Sequence, residues 1–153
     1  MLALNHALFG AIIAVSVKQP ALIIPLGIAS HFVLDALPHF GNSESFGRYS
    51  NNYYRVVFAD GIAMIIALAA MTLFWPHMAG IILLGSISAM SPDLLWPLAP
   101  KVKSGTILSK FFIFHKKIQL SETPKGIISE LAWSSLFATA LINIARSSSL
   151  FAK

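Results

Sequence analysis

The sequence predicts an all-α fold: an integral membrane bundle of about five transmembrane helices plus one interfacial amphipathic helix. Three observations point there. Hydrophobic residues fill 56% of the 153 positions and charged residues only 11%, against roughly 25% in soluble domains. Apolar stretches near the roughly 20 residues of a spanning helix recur, with turn residues between them. One further stretch divides its lysines from its apolar side chains at helical period. The length suits one membrane domain, 1–153.

The first helix is expected over 3–17 and contains Asn5 and His6. MLALNHALFG lacks the basic start of a signal peptide, so it reads as a retained helix. Lys18-Gln19-Pro20 turns the chain into a second helix, 20–37. A polar loop opens at Gly41-Asn42-Ser43-Glu44-Ser45. A third helix over 53–75 and a fourth over 78–98 flank Trp75-Pro76-His77, with His77 a turn residue. In 106–120, Ile107, Leu108, Phe111, Phe112, Phe114 and Ile118 share one face and Lys110 and Lys117 the other. That pattern fits a helix lying in the interface, with His115 among its apolar residues and Lys116-Lys117 on anionic headgroups. The last helix is expected over 124–145.

Five spans put Arg48, Arg55, Lys101, Lys103, Lys110, Lys116, Lys117 and Lys125 on one side and Lys18, Arg146 and Lys153 on the other. The basic loops are then cytoplasmic and the chain is a multi-pass protein of the cell membrane. The net charge of +5 is read as topology, not as nucleic-acid binding. The chain has no cysteine, which excludes a Cys-based zinc site, a disulfide framework and a thiol nucleophile.

On this topology the ionisable residues gather in one leaflet. His6, His31, Asp35, His39, Asp60, Asp93, His115 and Glu130 all fall toward the cytoplasmic ends of their segments. Ionisable groups inside a membrane mark functional sites by default. His31, Asp35 and His39 are spaced i, i+4, i+8, within about 80° of one helical face. Pro38 is expected to end that helix and turn His39 toward the surface. Two imidazoles and a carboxylate there suit a divalent metal such as zinc or manganese. His31, Asp35 and His39 are the first ligand candidates, joined by His6, Asp93 and His115. Asp93 and Asp60 are the candidate catalytic carboxylates. The plainer reading makes Asp60 and Asp93 hydrogen-bond partners or pairs of Arg55 and Lys101, and pairs Glu130 with Ser129 or Ser134. Glu44 and Glu122 are expected to be solvated.

A short parallel repeat relates 1–40 to 55–98. LGIASHFVLDALP from Leu26 overlays LGSISAMSPDLLWP from Leu84, with Gly27 on Gly85, Ser30 on Ser88 and Asp35 on Asp93. NHALFGA, GIASHFVLDALPH and SPDLLWP together resemble the predicted membrane-bound metal-dependent hydrolases, small bacterial inner-membrane proteins. The resemblance implies site roles for His6, His31, Asp35 and Asp93. The SHxxxD segment here precedes the PD segment, the reverse of the family order, and SPDLLWP lacks that motif's second Asp and its His. The run from His31 to His39 also resembles, in ligand spacing, the HxxxDxxxPxH signature of zinc-dependent phospholipase C and P1-type nucleases. These features together lead to the expectation of a metal-dependent hydrolase acting on a lipid-like or phosphate ester at the cytoplasmic leaflet. Its partners would be membrane lipids and an amphiphilic substrate. A metal or proton transporter, or a structural membrane protein held by polar contacts, are the alternatives. A transporter should carry polar residues through the full membrane thickness, and the opposite leaflet has almost none.

Overall fold

The computed structural model describes residues 1–41, 51–119 and 121–150, with no side-chain description for 148–150. Glu44, Arg48 and Lys153 lie outside the described residues. Among these residues there are six α-helices: α1 (Ala3–Val17), α2 (Pro20–Asp35), α3 (Asn51–Phe74), α4 (Ala79–Met90), α5 (Ile107–Ile118) and α6 (Ile127–Leu150). Short 3₁₀ segments cover Pro76–Met78, Asp93–Lys101 and Pro124–Gly126. Two strands, β1 (His39–Phe40) and β2 (Glu122–Thr123), pair in parallel with His39 opposite Glu122.

Three stretches are long and apolar enough to cross a membrane: Asn51–Phe74, Pro76–Lys101 and Pro124–Ser147. α1 and α2 are apolar but shorter, at 15 and 16 residues. At 1.5 Å per residue they reach about 24 Å at most, short of a hydrocarbon core of about 30 Å. Their ends are fixed by sequence. Lys18 adopts the left-handed region (φ 59°) and donates its backbone N–H to Ala14 O at 2.9 Å, which closes α1. Pro20 starts α2, and the chain leaves the helix after Asp35, ahead of Pro38.

α1 lies at the centre, against α2, α3, α4 and α6. Its crossing with α4 depends on small residues. A Cβ on Gly10 would overlap the carbonyl oxygen of Gly85, and one on Gly85 would overlap that of Gly10. Ser86 Oγ donates to Ala7 O at 2.8 Å across the same crossing. Close backbone approach of this kind is how apolar helices associate where lipid removes most of the hydrophobic drive. Gly27 also brings α2 close to α4, with a Cβ there 2.8 Å from that of Ser88. Outward, α3 is nearly bare: only Met71 is buried, and Phe58, Leu73 and Phe74 are more than 70% exposed. An apolar exterior around small-residue contacts suits a lipid environment.

The first turn of α1 is capped by other helices. Leu2 N donates to Glu130 Oε1 of α6 (3.0 Å) and Leu4 N to Asp60 Oδ2 of α3 (3.2 Å). Carboxylates at a helix N-terminus satisfy its free N–H groups and complement its dipole.

Candidate metal centre

α2 runs toward the site end of the bundle and carries His31 and Asp35 one turn apart, both fully buried. Ser91-Pro92 ends α4, and the following 3₁₀ segment brings Asp93 to the same level. α5 starts at Thr106, whose side chain accepts from Ser109 N at 3.2 Å, and presents His115 two turns later. A ligand atom from each of His31, Asp35, Asp93 and His115 lies within 4.8 Å of the others. A His/Asp group that can hold a metal ion is therefore present.

Its internal distances are informative. His31 Nε2 is 3.0 Å from His115 Nε2 and 3.2 Å from Asp35 Oδ2. His115 Nε2 is 2.9 Å from the same oxygen. Asp93 Oδ1 lies 3.5 Å from both imidazole nitrogens. Ligands bonded at 2.0–2.1 Å around a tetrahedral zinc stand about 3.3 Å apart. The five separations fall around that value.

The hydrogen bond behind the His31 ring is compatible with a ligand role. His31 Nδ1 is 2.8 Å from Ala89 O, a group that only accepts, so the hydrogen is assigned to Nδ1. In the neutral ring Nε2 then carries a lone pair into the cluster. A backbone carbonyl fixing the tautomer from behind is the usual support of a metal-binding histidine. Two imidazole nitrogens and two carboxylate oxygens thus converge, an arrangement that requires a proton or a cation between them. Trp96, Phe32 and Phe111 pack around His115, tilted or edge-on, with centroids 5.3 to 5.7 Å away. This apolar wall strengthens any charge interaction inside it. Asp93, with a side chain 35% exposed, is the open edge of the set.

The other candidates fall elsewhere. His6 stands beside the cluster, stacked on His31 at 4.1 Å, with Nε2 3.2 Å from Asp35 Oδ1. His39 is outside the group of four. α2 stops at Asp35, so the i+8 spacing no longer carries His39 along the helical face; it enters β1 with Nδ1 on Leu37 O at 2.7 Å. It is buried, not turned to the surface. Gly126 allows that burial, because a Cβ there would overlap the His39 carbonyl. Asp60 caps α1 as described, on the far side of Leu4. Glu122 is half-buried in β2, so it is not a fully solvated side chain.

Sequence reasoning missed a second polar group. Asn5 Nδ2 donates to Glu130 Oε2 (2.6 Å) and Glu130 O (3.1 Å), and Asn5 Oδ1 accepts from Ser134 Oγ (2.8 Å). Phe40 N donates to Glu130 Oε1 at 3.1 Å. The available signal was Asn5 itself, an amide in the first turn of an apolar helix. Ser134, expected to pair with Glu130 directly, reaches it through Asn5. No protein-family model, curated protein or solved structure matches the chain.

Proposed function

We propose that the chain is a membrane-embedded, metal-dependent hydrolase acting on an amphiphilic ester, phosphate or lipid-like, at the leaflet that holds the site. The observation that carries this reading is the convergence of His31, Asp35, Asp93 and His115, with one ligand atom of each within 4.8 Å of the others, inside an apolar bundle. His31, Asp35 and His115 hold the ion, zinc or manganese. Asp93, on the open edge, completes the sphere or takes a proton from the attacking water. A bound divalent ion lowers the pKa of a water and polarises a phosphoryl or carbonyl oxygen. The likeness to the predicted membrane-bound hydrolases supports the same reading through His31, Asp35 and Asp93.

In this reading α1 and α2 span together with the three longer stretches, giving five spans, and the basic loops are cytoplasmic. Arg55, Lys101, Lys103, Lys110, Lys117 and Lys125 are exposed, whereas no described carboxylate is fully exposed. That surface favours an anionic headgroup.

The test is metal content of protein purified in mild detergent, beside Asp35→Ala and His115→Ala, followed by hydrolysis of a panel of phospholipid and lipid-phosphate esters. Expected are metal retained by wild type, its loss in both variants, and turnover abolished by chelation. Folded wild type that takes up no zinc or manganese would sink the metal reading. Metal without turnover of any ester would leave a structural ion and end the hydrolase reading.

A further inference from the structure

Asp35 has two oxygens and they face different groups. Oδ2 meets His31 Nε2, His115 Nε2 and, at 3.4 Å, Gln119 Nε2. Oδ1 meets His6 Nε2 at 3.2 Å and the α-amino nitrogen of Met1 at 2.5 Å. His6 is fully buried, and neither of its ring nitrogens has a hydrogen-bond partner. A buried imidazole without partners is costly unless something else satisfies it. Its separation from Oδ1 matches the ligand spacing of the first set, although the pair makes no hydrogen bond. His6 is not one of the four groups that share the first position.

We infer that Asp35 is a bridging carboxylate and that His6 Nε2 and Asp35 Oδ1 form part of a second divalent-cation position. The inference rests on the proposal that His31, Asp35, Asp93 and His115 hold the first ion. Paired ions about 3.5–4 Å apart stabilise both the attacking and the leaving oxygen of a displacement. Such a pair suits the in-line displacement of a phosphate ester, so the substrate class proposed is lipid-anchored or free phosphate esters. Ligands beyond the two named are left to water. The competing occupant of Oδ1 is the Met1 ammonium, which would neutralise it without any ion.

The experiment loads detergent-purified wild type, His6→Ala and His115→Ala with manganese, counts bound ion, and records the electron paramagnetic resonance spectrum. The expected wild-type result is about two equivalents with a spin-coupled spectrum, falling to about one uncoupled equivalent in His6→Ala. The wild-type spectrum needs no variant, so a misfolded His6→Ala does not block the test. About one equivalent in wild type, kept in His6→Ala and lost in His115→Ala, overturns the second position and leaves the first. Loss of all ion in His6→Ala, with native size-exclusion behaviour, overturns the division by placing His6 in a single centre. No ion in wild type removes both readings. With two ions bound, cleavage of a lipid phosphate beside a water-soluble phosphate ester distinguishes the two substrate sources.

Discussion

At Glu130 a buried carboxylate accepts from Leu2 N, Phe40 N and Asn5 Nδ2, which tie α6 to the start of α1 and to β1. Removing it takes the acceptor from two part-buried backbone donors and one of the two acceptors from the buried Asn5 amide. Glu130→Ala should cost about 3 kcal/mol or more, read as a lowered thermal midpoint in detergent, while metal content in the surviving folded fraction is unchanged. A stability change below about 0.5 kcal/mol would show that water replaces the carboxylate there. Asp35 should behave differently. Its substitution removes ion binding as well as the compensation of His31 and His115. The candidate site was legible at this scale where a residue type is rare in its surroundings. His31, Asp35 and Asp93 stand out in apolar runs, and His115 stands out on the apolar face of its helix. Asn5 and the carbonyl of Ala89 were not legible, because a backbone acceptor has no sequence signature and one amide has too many possible partners.

α1 and α4 meet with glycine on both sides. Gly10→Ala or Gly85→Ala pushes backbone against backbone and should destabilise by about 3 kcal/mol or more. Gly61→Ala, with open space around it, should be neutral or mildly stabilising because alanine is the better helix former. Thermal unfolding of the three variants checks both statements, and equal effects at Gly10 and Gly61 would refute the close crossing. α5 tests a different dependence. It contributes His115 to the proposed metal set and packs on Phe32 and Trp96 through its aromatic side chains. Chelation should therefore raise proteolytic cleavage near Lys110 and Lys117 more than in α4. At about a hundredfold excess over Kd, bound ion adds about 2.7 kcal/mol that chelation withdraws. Helix identities were readable from apolar length and from the lysine–aromatic division of α5. The end of α2 was readable to within two residues from Pro38, but the burial of His39 was not, because it depends on the pairing of β1 with the distant β2.

For the whole molecule, orientation is open to direct measurement because the chain has no cysteine. A single cysteine at Gln19 should react with an impermeant thiol reagent from the side opposite to one placed at Lys103, if α1 and α2 span. Labelling of both from one side would leave those two helices dipping into a single leaflet. The three long apolar stretches were plain from composition. Span number was not, since 15 and 16 apolar residues fit either a thinned bilayer or a re-entrant pair. The capping of α1 by Asp60 and Glu130 also has a consequence for biogenesis. α1 is the earliest described helix to leave the ribosome, yet Leu4 N waits for residue 60, and Leu2 N and Asn5 wait for residue 130. Its small-residue groove likewise waits for Gly85. During synthesis α1 must stay in the lipid or in the insertion machinery with its polar start unsatisfied, so this early segment is among the last to settle. Chains truncated before α6 should be held there and cleared by membrane proteases, and restoring α6 as a separate peptide should rescue them.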